Sequence, residues 1–208
     1  MGPHLSDFGA TGPIATSAYG GFMRIVAADD PSSWVDAAAA LDAGSVVALP
    51  TDTVYGIATL PEWSGKLFEV KGRDRSVPIA VLVADVDQAD RLVALSAADR
   101  ELAERHWPGA LTVVATVRSG VDLDVGGDGA TLGVRCPDDG RLRDLLDRVG
   151  PLAVTSANLA GEPVLCDASA IGELPGVELV VDGGRLDGPA STVVHDGVVL
   201  RAGPVQLG

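Results

Sequence analysis

Apolar positions along the chain change period several times, and each change marks an element. Trp34, Ala37, Ala38 and Leu41 recur at the spacing of one helix face, predicting a helix over Trp34–Ala43 with Ser32 or Ser33 as its cap and Gly44 as its stop. Ser45–Leu49 is a short continuous apolar run, read as a buried strand, and Pro50 ends it because proline cannot donate to a central ladder. Ser64 is placed to cap a second helix carrying Leu67, Phe68 and Val70, which ends near Lys71 with Gly72 as the breaker. A strand over Pro78–Ala84 follows, then two helices, Asp87–Leu95 and Ala97–His106, the latter capped by Ser96. Pro108-Gly109 stops the helical pattern before strands at Leu111–Val117 and Thr131–Cys136, which flank a Gly/Asp loop over Val121–Gly129. Arg141–Val149 is amphipathic, with Leu142, Leu145, Leu146 and Val149 on one side, and Pro151–Val154 is a strand that runs into Thr155-Ser156-Ala157-Asn158. Leu179–Asp182 is a further strand, and two Val-rich runs within Ser191–Arg201 make a hairpin about His195-Asp196-Gly197.

Interleaved helices and strands ending in a hairpin predict an α/β fold on a mixed sheet, not a purely parallel one. At 208 residues with no break in composition, one domain is expected. Residues 1–22 are rich in Gly, Ser, Thr, Ala and Pro without periodicity and read as a disordered or expression-derived extension, so the domain is placed at 23–208, with Met23 an alternative start. Aromatic residues make up only 4% of the chain, so the core must be built from Val, Leu, Ile and Ala.

Charge narrows the partners. A formal charge of -14 repels a phosphate backbone, which disfavours bulk tRNA or DNA binding, whereas a small anion could still be held where a few cations converge in a cleft. No apolar run is long enough to span a bilayer and no export signal precedes the domain, so a cytoplasmic protein is expected. Cys136 and Cys166, thirty positions apart without metal-ligand neighbours, read as free thiols in preference to a disulfide.

Several polar clusters stand where apolar runs end. Thr51, Thr53 and Tyr55 surround a turn beyond a strand's carboxyl end, where ligands collect in open α/β sheets; ordinary turn chemistry explains the same residues. Lys71 and Arg73, with Arg75 beside them, stand at a predicted helix end, where cations favour the macrodipole and a solvated pair is the ordinary reading. Arg135 lies inside an apolar strand and must pair with an internal carboxylate or face a ligand. Thr155, Ser156 and Asn158 either cap the next segment or contact a ligand, and Ser191, Thr192 and Arg201 bracket the hairpin. The chain has no P-loop, no dinucleotide-binding glycine fingerprint, no nucleophile elbow and no zinc-protease pair. None of His4, His106 and His195 is placed as a general base, and no residue set reads as a metal site.

Taken together, Leu49-Pro50-Thr51-Asp52-Thr53-Val54-Tyr55-Gly56, Lys71-Gly72-Arg73, Val134-Arg135-Cys136-Pro137, Thr155-Ser156-Ala157-Asn158 and Ser191-Thr192-Val193-Val194 resemble the YrdC-like family, in family order from about Asp30 to Arg201. That family includes threonylcarbamoyl-AMP synthases. The resemblance implies a twisted mixed sheet flanked by helices around a deep ligand cleft. It also implies condensation of L-threonine, bicarbonate and ATP with release of pyrophosphate. ATP is then a substrate accompanied by Mg2+, and the product passes to a tRNA threonylcarbamoyltransferase that modifies adenosine 37 of tRNAs reading ANN codons. By the same resemblance Lys71 and Arg73 are catalytic, and Thr51, Thr53, Arg135 and Ser191 hold threonine. Lys71, Arg73, Arg75, Thr155, Ser156, Asn158, Thr192 and Arg201 hold ATP. Four positions depart from the family pattern: Leu82 and Asp139 stand where relatives carry His, Asp74 where they carry Pro, and His195 where they carry Asp. The added acids at Asp74 and Asp139 are expected to weaken phosphate attraction, and a diverged nucleotide- or double-stranded-RNA-binding protein is the competing reading.

Overall fold

The computed structural model describes residues 14–16 and 22–207, in which twelve strands join into one sheet. In chain order they are β1 (Ile14–Thr16), β2 (Phe22–Ala27), β3 (Val46–Leu49), β4 (Gly56–Thr59), β5 (Ala80–Leu82) and β6 (Val93–Ala94), then β7 (Leu111–Val117), β8 (Thr131–Arg135), β9 (Leu152–Ser156), β10 (Val177–Asp182), β11 (Thr192–His195) and β12 (Val198–Arg201). The helices are α1 (Pro31–Asp42), α2 (Gly65–Lys71), α3 (Val86–Leu92), α4 (Ala97–His106), α5 (Gly140–Val149) and α6 (Ala168–Ile171). Spatial order runs β1-β2-β10-β3-β4-β9-β5-β8-β7-β11-β12, with β6 on β7. β10 pairs parallel with β2 and β3, β5 with β8 and β11 with β7, while the remaining ladders are antiparallel, so the sheet is mixed.

Side chains alternate across a strand, and β3 shows the result. Val47 and Leu49 pack with Ala37, Ala38 and Leu41 of α1 and Leu142, Leu145 and Leu146 of α5. Val46 and Ala48 face the other way, into a cluster with Leu67, Phe68 and Val70 of α2. A strand buried on both faces reads as an uninterrupted apolar run, which is why it was legible.

Some boundaries move. Asp30, not Ser32 or Ser33, caps α1, its carboxylate accepting from Ser32 N at 2.8 Å. Ser64 stands before α2 but its hydroxyl donates to the Asp124 carbonyl instead of capping, because a 3-10 turn at Pro61–Trp63 leads directly into the helix. The helix expected over Asp87–Leu95 stops at Leu92, since Val93 and Ala94 pair with β7. β1, β2, β4 and α6 have no counterpart among the predicted elements: β1 lies within the stretch expected to be disordered, β4 opens on a glycine and α6 has only four residues. The expected disordered extension over 1–22 falls, apart from β1 and Phe22, outside the described residues. Cys136 and Cys166 are free thiols.

Candidate active site

An open cavity of about 430 Å3 lies across one face of the sheet. Most of its floor follows the two-residue period, with Thr131, Gly133 and Arg135 of β8, Ala80 and Leu82 of β5, and Thr112 and Val114 of β7, while the end of β9 contributes the consecutive residues Val154, Thr155 and Ser156. Ser191 and Val193 extend it towards the hairpin. The intervening residues Leu132, Val134, Val81 and Val113 are buried in the core on the opposite face. The site therefore sits on the sheet's face as well as at strand ends, where the sequence had placed it. Gly133 and Ala80 leave the depression, since a Cβ on Gly133 would meet only Thr112, Ala80 and Val114 side chains at 3.4 to 3.9 Å.

Among the described residues three guanidinium groups line the cavity, Arg73, Arg135 and Arg201, and no carboxylate does. Their environments differ. Arg135, at the end of β8 and 6% exposed, donates from Nε to Gly109 O at 2.9 Å, from Nη1 to Thr53 Oγ1 at 2.9 Å and from Nη2 to Asp52 Oδ1 at 2.5 Å. Of the two readings left open for Arg135, the structure bears out the pairing with an internal carboxylate, and the same side chain also lines the cavity. Among the described residues the Arg73 guanidinium has one hydrogen bond, to Thr155 Oγ1 at 3.4 Å, and that of Arg201 reaches only Ser191, its carbonyl at 2.8 Å and its hydroxyl at 3.1 Å. Burial pulls both of those guanidinium pKa values below the ordinary arginine value, and for Arg201 the nearby Arg135 charge adds to it.

The hydroxyls form a directed chain. Thr51 donates its single proton to Val54 O at 2.7 Å, so across the 3.0 Å contact between Thr51 and Thr53 the latter must donate. With Arg135 donating to Thr53 and Thr53 to Thr51, the Thr53 oxygen has only acceptor capacity left for a ligand. On the opposite side of the floor Ser191 Oγ lies 2.8 Å from Thr112 Oγ1.

Lys71 stands behind this wall. Gly72, at φ 59°, ends α2 in the left-handed conformation, which turns Arg73 to the cavity while Lys71, 4% exposed, points inward. Its ammonium donates to Ser156 O at 2.9 Å, Ser156 Oγ at 3.3 Å and Asn158 Oδ1 at 2.7 Å. Burial, then the Arg73 charge, pushes its pKa down to about 8. Asn158 in turn donates to Leu159 O at 2.9 Å and Glu162 O at 2.6 Å, so it braces Lys71 and its own loop and is not on the wall.

Of the residues singled out in the sequence, Thr51, Thr53, Arg73, Arg135, Thr155, Ser156, Ser191 and Arg201 come together around the cavity. Arg75 is elsewhere, bridged to Asp124 at 2.5 Å and stacked 4.7 Å from the Phe68 ring. Thr192 faces away from Ser191, exchanging hydrogen bonds with Val205 at 2.9 and 3.0 Å. Asp74 and Asp139, expected to weaken phosphate attraction, lie off the wall: Asp74 accepts from Ser76 N at 2.7 Å, and Asp139 caps α5 through Leu142 N at 2.9 Å. Leu82 is in the wall. Sequence reasoning missed Asp52, Thr112 and the small floor residues. Alternation in Thr131-Leu132-Gly133-Val134-Arg135 was the available signal for the floor, whereas nothing in sequence joins Asp52 to Arg135.

Three arginines and a set of hydroxyls thus converge in one cavity on the face of a mixed sheet. The family model described as Telomere recombination, that of the Sua5, YciO and YrdC proteins, matches residues 39–203, and the chain belongs to this family. A Mycobacterium leprae relative, named provisionally as a threonylcarbamoyl-AMP synthase, is 38% identical over 184 residues, covering 82% of this chain and 83% of that protein. The Rattus norvegicus threonylcarbamoyl-AMP synthase is 34% identical over 198 residues, covering 88% of this chain and 70% of that one. Among solved structures, Pyrococcus abyssi Sua5 complexed with L-threonine superposes with a TM-score of 0.72 at 32% identity, over 78% of this chain and 50% of that chain.

Proposed function

We propose that this protein is an L-threonylcarbamoyladenylate synthase that joins L-threonine, bicarbonate and ATP and releases pyrophosphate. The observation that carries the reading is a cavity with three guanidinium groups and no carboxylate in a chain of formal charge -14. Such a local field collects phosphates and carboxylates that the rest of the surface repels. The threonine amine attacks the bicarbonate carbon, water leaves, and an oxygen of the resulting carbamate attacks the α-phosphorus of ATP as pyrophosphate departs. The protein supplies proximity and charge neutralisation, and no side chain need act as nucleophile. Cys136 fits that account, because burial pushes its thiol up to about 11 and it donates to Ala84 O at 3.1 Å.

Arg73 and Arg201, paired only with neutral acceptors, suit the polyphosphate, and Lys71 holds the Thr155-Ser156 edge in place with its charge close behind. The acceptor-only oxygen of Thr53 suits an amine or a hydroxyl donated by threonine. The wall offers hydroxyls and carbonyls but no carboxylate, so Mg2+ travels with ATP and is not held by a dedicated protein site. The adenylate is consumed by a tRNA threonylcarbamoyltransferase acting at adenosine 37 of tRNAs reading ANN codons. The acidic surface suits release of a small product in the cytoplasm better than a direct grip on tRNA. One observation favours a diverged nucleotide binder, namely Leu82 in the cavity wall where relatives carry His.

Pyrophosphate release from ATP and bicarbonate, compared for threonine, serine and valine, decides between them. Threonine-dependent release, weak with valine and reduced at least about 100-fold in Lys71→Ala, is expected. No release with any amino acid, from folded protein that binds ATP, would sink the synthase reading.

A further inference from the structure

We propose that Asp52 sorts the two anionic substrates: it cancels the charge of Arg135, leaving polyphosphate to Arg73 and Arg201 and a single carboxylate to Arg135. This inference rests on the synthase reading, and it concerns a residue that does not touch the cavity. The cavity must hold a polyphosphate and an amino-acid carboxylate at once, and all three of its lining cations are guanidinium groups with the same bidentate affinity for either anion. What separates them is compensation. Arg135 Nη2 is 2.5 Å from Asp52 Oδ1, whereas Arg73 and Arg201 have no carboxylate within 4.0 Å among the described residues. Asp52 is exposed mainly through its backbone: its side chain is 15% exposed and that of Arg135 7%, so solvent screens the pair only in part.

Gly109 O and Thr53 Oγ1 complete the hold on Arg135, leaving one N–H on each Nη for a ligand. A neutralised, rigidly held fork still recognises a carboxylate by geometry. A multiply charged phosphate gains more at Arg73 and Arg201, where nothing offsets the charge. Asp52 reaches this position because it is the middle residue of the Thr51-Asp52-Thr53 turn: the flanking hydroxyls point to the cavity side of Arg135 while the carboxylate meets its far edge. Asp52 is thus a positioning residue.

The test measures threonine binding by calorimetry with and without inorganic pyrophosphate, for wild type, Asp52→Asn and Asp52→Ser. Both variants keep an oxygen acceptor for Arg135 and lose the charge. In wild type, pyrophosphate leaves the threonine Kd within about twofold. In either variant, pyrophosphate raises it by about tenfold or more, because an uncompensated Arg135 captures the anion, and adding Arg135→Gln removes the second bound pyrophosphate. Equal competition in wild type and both variants overturns the proposal. So does a loss of threonine affinity that pyrophosphate does not worsen, which is what a merely structural Asp52 gives. If wild type binds no threonine, the synthase reading fails alone. Sorting is then read from stoichiometry, one pyrophosphate in wild type against two in the variants, with equal stoichiometry counting against it.

Discussion

Arg135 and Lys71 solve one problem, a cation in an apolar setting, in different ways. An unpaired buried guanidinium is expensive, and Arg135 is paid off by a carboxylate, a hydroxyl and a carbonyl. Lys71 has only neutral acceptors, and its pKa falls to about 8, burial being the larger cause and Arg73 the smaller. The sign follows directly: the group is charged below about pH 8 and loses its proton as pH rises through that value. ATP affinity is therefore expected to fall as pH rises through about 8, and Lys71→Arg, whose guanidinium stays protonated, should abolish that fall. Calorimetric titration of ATP across this range checks it, and an unchanged affinity in wild type would detach Lys71 from the phosphates.

Short strands with alternating faces build the site. β8 buries Leu132 and Val134 in the core and shows Thr131, Gly133 and Arg135 to the cavity, so one five-residue segment serves stability and chemistry together. Gly133→Val tests this division. The Cβ finds ordinary contacts of 3.4 Å and beyond, so thermal unfolding should register a stability change of no more than about 1 kcal/mol, while the added methyls fill the floor and lower ATP or threonine affinity by at least about tenfold. The β11-β12 hairpin, which carries Ser191 at its base and Arg201 at its end, is held at its tip by Asp99 of α4, which accepts from Asp196 N at 3.2 Å and Gly197 N at 3.1 Å. The chain then returns past β11 so closely that a Cβ on Gly203 would lie 2.4 Å from Thr192 N and 2.5 Å from Ala190 O. Glycine is the residue that permits this approach, and with it the Thr192 to Val205 bonds that fix the segment behind Ser191.

For the whole molecule, electrostatics has two ranges. Outside the cavity the formal charge of -14 sets the sign of the field, and screening confines that field to about 10 Å of the surface at ordinary ionic strength. Within the cavity the three arginines set it. Unmodified tRNA should therefore show no retention in filter binding at physiological salt, and no steep dependence on salt below it. Retention whose logarithm falls linearly with that of salt would place an RNA surface on this protein instead. No helix among the described residues is long and apolar enough to cross a membrane.

The α/β class, the buried strands, most helices and the hydroxyls and cations that line the cavity could all be read along the chain. Each of these is local, since burial on both faces, helical spacing and residues before a turn all leave a mark within about ten positions. The sequence could not determine which side of a strand faces the cavity, because the period of two is the same whichever face is the core. Nor could it determine that Thr192 and Asn158 brace the wall while their neighbours line it, or that Arg75 pairs with Asp124 across the loop. The Asp52 to Arg135 contact spans 83 positions, and it arises only in three dimensions, where the end of β8 meets the turn after β3; the chain's order does not reveal which of the cavity's arginines gains a carboxylate partner.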